Sequence, residues 1–175
     1  MDVFTIKSGH INITDPCYEN GTWCGMFELA AKNGNWEAEV KRDSDGCIVY
    51  LRAYHAARPI YSQPDERLGE VGVDSGQMSI IDSDTYPKGD STGDCGDFKN
   101  KQRVPVSFYD ECCKRTLSED CFGIVSEQGS GAVSSTGYGD GLYDVFVKKD
   151  GEEIVAVEIV FLNDEDNEDN EEEVA

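Results

Sequence analysis

Basic residues are scarce in this sequence: 15 Lys and Arg stand against 36 Asp and Glu, a formal net charge of −21. Contacts to a phosphate backbone need a basic patch, and no basic cluster occurs, so direct nucleic-acid binding is not expected. Only two histidines are present, His10 and His55, which limits the bases available to any nucleophile. The opening MDVFTIKSGH lacks the charged-then-apolar pattern of an export signal. No apolar run approaches membrane-spanning length, so no membrane association is expected.

A CxxC pair is also missing, although Cys17, Cys24, Cys47, Cys95, Cys112, Cys113 and Cys121 make seven thiols. An odd count without an export signal reads as reduced thiols in a cytoplasm. A zinc site would have to be assembled from Cys17, Cys24 and the 112/113 pair, and adjacent cysteines do not readily turn both sulfurs onto one ion. No metal and no cofactor are expected.

A chain of 175 residues with 38% hydrophobic and 10% aromatic residues is long and apolar enough for one folded domain. Much of the charge sits in NDEDNEDNEEEVA, where eight acids lie between Asp164 and Glu173. Without those eight, 28 acids remain against 15 bases, so the body still carries about −13. Residues 1–163 are predicted to form a single β-rich domain and 164–175 a disordered acidic tail.

Alternation with a period of two dominates that domain. NWEAEV sets Trp36, Ala38 and Val40 on one face, and RDSDG then turns into CIVYLRAYH, a hairpin with Gly46 at the permissive position. LYDVFVKK, KDGE and EIVAVEIVFL form a second hairpin. Its last strand is apolar on both faces, with Val155, Val157, Ile159 and Phe161 on one, and is predicted to lie centrally. VFTI, HINIT, WCGMFELA and EVGVDSGQMSIID are also strand-like. One segment differs: PVSFYDECCKRTL carries Phe108, Tyr109, Cys112, Cys113 and Leu117 at helical spacing, with Ser107 as N-cap and Asp110 three residues on. The expected fold is therefore α+β and mostly β, an antiparallel or mixed sheet or sandwich with one short amphipathic helix at about 107–117. Residues 83–103, polar and glycine-rich, are expected to form a long surface loop.

Three polar interruptions within strand-forming sequence are the candidate binding residues. In ITDPCYENGTWCG, Asp15-Pro16 starts a turn and Asn20-Gly21 marks a second. A nucleophilic Cys17 there would require His10 as its base. In GVDSGQMSIID, the glycine within Asp74-Ser75-Gly76-Gln77 points to a bulge or to a close backbone approach, either to another strand or to a ligand, and across a bulge Asp74 would accept from backbone amides. In SSTGYGDGLYDVFV, the glycines serve first to let the chain turn, and Tyr138 and Tyr143 offer rings for stacking or for packing. That stretch is neither a P-loop nor a dinucleotide fingerprint, and no helix follows it to hold a phosphate. No EF-hand spacing surrounds Asp140.

Taken in order, DPCY with GTWC, VDSGQMSIID and SSTGYGDGLYDVFV…IVAVEIVF resemble a group of small proteins from bacteriophages and bacteria. The final part is similar to the domain-of-unknown-function 4241 family. The resemblance spans residues 1–162 and implies a β-rich α+β fold and a phage context, with no assigned activity and no catalytic residues.

The expectation for the site is one shared cleft lined by Asp15, Cys17, Tyr18, Asp74, Ser75, Gln77, Ser135, Tyr138, Asp140 and Tyr143. The leading functional expectation is a non-enzymatic cytoplasmic binding protein that sequesters a small nucleotide-like host signal, as a counter-defence factor. The alternative is an acidic protein–protein inhibitor, or DNA mimic, acting on a basic host partner. A third is a metal-assisted hydrolase using Asp74 and Asp140.

Overall fold

The computed structural model describes residues 2–58, 63–87 and 104–163. The acidic tail at 164–175, Cys95 and the 88–103 part of the expected loop lie outside the described residues. The chain forms strands β1 (Asp2–Ile6), β2 (His10–Thr14), β3 (Gly25–Ala30), β4 (Gly34–Arg42), β5 (Ile48–His55), β6 (Glu66–Val73) and β7 (Gln77–Asp82). Helix α1 (Val106–Thr116) follows, then β8 (Phe122–Val125), β9 (Gly131–Ser135), β10 (Gly141–Asp150) and β11 (Glu153–Val160). The fold is α+β and mostly β, built from two antiparallel sheets.

The larger sheet has the order β1-β4-β5-β11-β10-β6 and the smaller β3-β2-β7-β9-β8. Their facing sides share one core, to which Trp36, Leu51, Val145 and Ile159 contribute from the larger sheet and Ile11, Ile13, Met78 and Ile80 from the smaller. The other side of the smaller sheet carries α1, where Ile81, Val125 and Val133 meet Tyr86, Phe108 and Cys112. Sheet, sheet and helix thus make three layers, each boundary closed by apolar side chains.

Both expected hairpins form. Trp36 and Ala38 are buried on one face of β4, and the turn to β5 has Gly46 at φ 86°. Strand β11 lies between β5 and β10, as its two apolar faces predict. Its inner face differs from the simple alternation: Ile154, Val157, Ile159 and Phe161 reach the core, not Val155. The register explains this, because Lys148 pairs with Ala156 and Lys149 with Ile154, leaving Val155 as an extra residue. A bulge of one residue moves every side chain beyond it to the opposite face.

Further expectations are corrected. The helix begins two residues earlier than a cap at Ser107 would require: Pro105 precedes it and no side chain caps it. Its buried side is Phe108, Glu111, Cys112 and Thr116, whereas Leu117 is exposed. The segment beginning at Ser83 does not start as surface loop, since Ser83 and Tyr86 are buried. Residues 74–76 are no bulge: they are the turn by which the chain leaves β6 in the larger sheet for β7 in the smaller.

Strand β9 carries one testable constraint. Gly131 pairs with Ile81, and a Cβ there would overlap the Ile80 carbonyl oxygen and the Ile81 Cα. Main-chain atoms cannot rotate aside, so Gly131→Ala forces the ladder apart. A loss of about 2–3 kcal/mol is expected from overpacking of this kind. Urea denaturation measures it, and an unchanged midpoint would refute this pairing of β7 with β9.

Candidate functional site

The three polar stretches meet at one end of the sandwich, and Asp15 joins two of them. Strand β2 ends at Thr14, and Asp15-Pro16 turns the chain sharply so that the next carboxylate points inward. Asp15 is 0% exposed. Its Oδ1 accepts from the Cys17 amide at 3.0 Å and the Ser75 hydroxyl at 2.6 Å, and its Oδ2 from the amides of Asp74 and Ser75 at 2.9 and 2.8 Å. The expected roles are therefore reversed within this pair: Asp15 accepts from the backbone of 74–75, and Asp74 donates its own amide. The Asp74 carboxylate instead accepts from the Tyr18 hydroxyl.

The third stretch is joined by backbone. Gln77 pairs with Ser135 in the β7–β9 ladder, and the Thr136 amide donates to the Gly76 carbonyl at 3.2 Å. Residues 136–140 then form a tight turn with Gly137 at φ 57° and Gly139 at φ 104°. A side chain at 137 would also press on the Ile48 carbonyl and Leu162. Turning is thus the glycines' evident task, as the sequence suggested, and Gly141 simply opens β10. The Tyr143 hydroxyl donates to the Gly139 carbonyl at 2.6 Å and its ring meets Phe161 edge-on at 5.2 Å, so Tyr143 packs and clamps the turn.

The ten residues named from sequence therefore belong to stretches that these bonds join, with different duties. Asp15 and Ser75 hold loops together. Gln77 faces the helix layer, where its Nε2 lies 3.5 Å from the Tyr109 hydroxyl and the Cys113 sulfur. Cys17 is buried, and its carbonyl accepts from the Val104 amide at 3.0 Å. Tyr138 is exposed, and Tyr18 and Ser135 are half-buried. Two residues missed from sequence complete the outer surface, Trp23 and Leu142. Exposures of 65% for Trp23, 71% for Tyr138 and 65% for Leu142 put all three large apolar side chains in water at this end. A tryptophan in a strand-like stretch reads as core, which is why the pattern hid Trp23. The signal that could have found it is its place between the Asn20-Gly21 turn and β3, in a loop.

The electrostatics of this end are negative. Burial pushes the Cys24 thiol up to about 12, and Asp15, Asp74, the Cys17 thiol and Asp140 all push in the same direction. Burial likewise raises Tyr18, reinforced by its bond to Asp74 and by the charges of Asp74, Cys17 and Asp15, which keeps the hydroxyl a donor. A thiol raised in this way is a poor nucleophile. Both histidines are engaged elsewhere: His55 Nε2 lies 2.8 Å from the Asn33 carbonyl, and His10 Nδ1 lies 3.1 Å from the Ser8 carbonyl. Among the described residues no group of three or more His, Cys, Asp or Glu is placed to hold a metal ion, and no helix is long and apolar enough to cross a membrane. No protein-family model, curated protein or solved structure matches the chain.

Proposed function

We propose that this is a non-enzymatic binding protein whose recognition surface is the loop end built from residues 15–24, 74–76 and 136–142. The observation that carries this reading is the convergence of three distant stretches, fixed by the fully bonded Asp15, beneath exposed Trp23, Tyr138 and Leu142. Rings exposed on a braced support lose little freedom on binding, and that favours their use as anchors.

Of the two ligand classes raised by the sequence, the basic partner fits better. A nucleotide-like signal would stack on the rings yet bring its phosphates towards Asp74 and Asp140. A basic protein meets the same carboxylates favourably, and the net charge of −21 would steer it in. The reading is thus an acidic protein–protein inhibitor, with sequestration of a nucleotide signal as the competing outcome of one experiment.

That experiment follows thermal unfolding of the protein with cyclic dinucleotides, ADP-ribose or a nona-arginine peptide, each against the triple variant Trp23→Ala/Tyr138→Ala/Leu142→Ser. A ligand at about 100 times its Kd stabilises the native state by about 2.7 kcal/mol. For a domain of this size that raises Tm by roughly 5–10 °C. The shift should appear with at least one ligand and vanish in the variant. No shift with any of them, or one equally large in the variant, removes the loop end as the binding surface.

A further inference from the structure

Gly72 is a glycine whose backbone does not require one. Its φ lies outside the left-handed region, unlike that of its neighbours Gly69 and Gly76. What excludes a side chain is Trp23: a Cβ on Gly72 would lie far inside contact distance of Cζ3 and Cε3 of that indole. Gly72 alternates with Val71 and Val73, both buried in the core, so the vacant position is on the outer face of the larger sheet. The loop before β3, in the smaller sheet, therefore wraps round edge strand β6 and seats Trp23 on the outside of the other sheet. The Cε3–Cζ3 edge of the ring lies against the glycine while the residue stays 65% exposed.

The register supplies the neighbours. Leu142 pairs directly with Gly72, so its side chain stands on the same outer face beside the ring. Two residues along each strand, Glu70 and Asp144 pair with each other on that face. Like charges directly opposite on a ladder destabilise it. Arg67 partly relieves them, its guanidinium lying 3.3 Å from Glu70 and 2.8 Å from Asp144. Among the described residues, one cation stands between two carboxylates, which leaves one negative charge uncompensated. The carboxylates of Asp74 and Asp140 add to it from the loop end.

We infer that the outward face of Trp23, with Leu142 beside it and Glu70 and Asp144 beyond, is the docking site for an arginine-bearing segment of a basic protein partner. An indole face attracts a guanidinium through its quadrupole, Leu142 receives the aliphatic stem, and the unbalanced acid pair takes the charge. Gly72 is the positioning residue, since its missing side chain sets the height and angle of the ring. The inference rests on the loop-end binding reading and adds the chemistry of the partner.

The test uses the full chain and titrates nona-arginine peptide at about physiological salt, where screening suppresses the diffuse attraction of distant acids. Trp23→Ala removes the ring, and Gly72→Ala keeps the ring but displaces it. Each should weaken the peptide about tenfold, whereas Glu152→Gln/Glu153→Gln, a pair of acids at the opposite turn, should weaken it less than twofold. Trp36 is fully buried, so iodide-quenchable emission reports Trp23, and the peptide should protect it. Trp23→Ala lies on the surface and keeps the test valid should Gly72→Ala fail to fold. Peptide affinity that is unchanged in Trp23→Ala, or lowered equally by the remote acid pair, overturns the inference. A loop-end shift with a nucleotide but none with the peptide would overturn it while leaving the broader binding reading intact.

Discussion

Asp15→Ala should lower the unfolding free energy by about 3 kcal/mol, which for a domain of this size is a fall of roughly 6–12 °C in Tm. The size follows from what the carboxylate does. Four donors converge on it, three of them backbone amides that cannot turn away to find another acceptor. A buried amide left without a partner costs about 1–3 kcal/mol, and water entering the vacated space recovers part of that. The sum is tempered by a second effect. Burial raises the Asp15 carboxyl above its ordinary value of 3.8, against the opposing pull of the Ser75 hydroxyl and the amides of Cys17, Asp74 and Ser75. The native state therefore holds this proton more tightly than the unfolded chain, and ionising the group removes stability as pH rises through the native value. Deleting the side chain abolishes that cost along with the acceptors. Amide hydrogen exchange at 74 and 75 gives the local check, because both sites should lose protection in the variant while β11 keeps its own. A loss below 1 kcal/mol, or exchange that accelerates equally throughout, would mean that Asp15 does not brace the loop end.

The same residue shows how far the sequence reaches. An aspartate before a proline, directly after the apolar HINIT, announces a turn, and that much is legible. Nothing local says that the carboxylate will turn inward to serve a loop 59 residues further on. Hairpins are readable because alternation and turn glycines act over a few neighbours, as with Trp36, Ala38 and Gly46. Strands β8 and β9 are not: FGIV is short, and GAVSS is made of small residues with little β-branched character, held in place by pairing with β7. The crossover at 74–76 looks like an interrupted single strand because apolar residues continue on both sides of it. The strand pairing and the bonds to Asp15 bring the three stretches to one end, a placement that depends on partners far away in the sequence. The outermost residues, Trp23 and Leu142, escape because exposure of a large side chain depends on which sheet edge its loop crosses, and composition carries no trace of that.

Glu111 offers the second large effect and one of opposite pH sign. It is the acid on the buried side of α1, 3% exposed, with its carboxylate set into three successive amides of the β8–β9 connection. Ser126 and Glu127 donate to Oε1 at 2.8 and 3.0 Å and Gln128 to Oε2 at 2.7 Å, while Arg115 stands 3.6 Å away. Such a run of backbone N–H groups is an anion cradle, here filled from within the chain. Burial alone would raise this carboxyl, but the amides of Glu127, Ser126 and Gln128 with the Arg115 charge outweigh it and hold the group below 4.5. Its contribution is therefore complete above the unfolded value and is lost as pH falls through the native one. Glu111→Ala should cost about 3 kcal/mol at neutral pH, since it uncouples helix from sheet and strands three amides at once. Glu111→Gln keeps the shape and one acceptor, so it should cost less and, more usefully, should remove the titration. Urea midpoints of the native chain and Glu111→Gln, compared from pH 7 down to pH 3, should draw together as the carboxyl protonates. The matching comparison with Asp15→Asn should draw apart over the same range, because there the native state gains the proton more readily than the unfolded chain. Parallel profiles for Glu111→Gln would place its carboxylate outside the cradle, and converging profiles for both variants would reverse the sign assigned to Asp15.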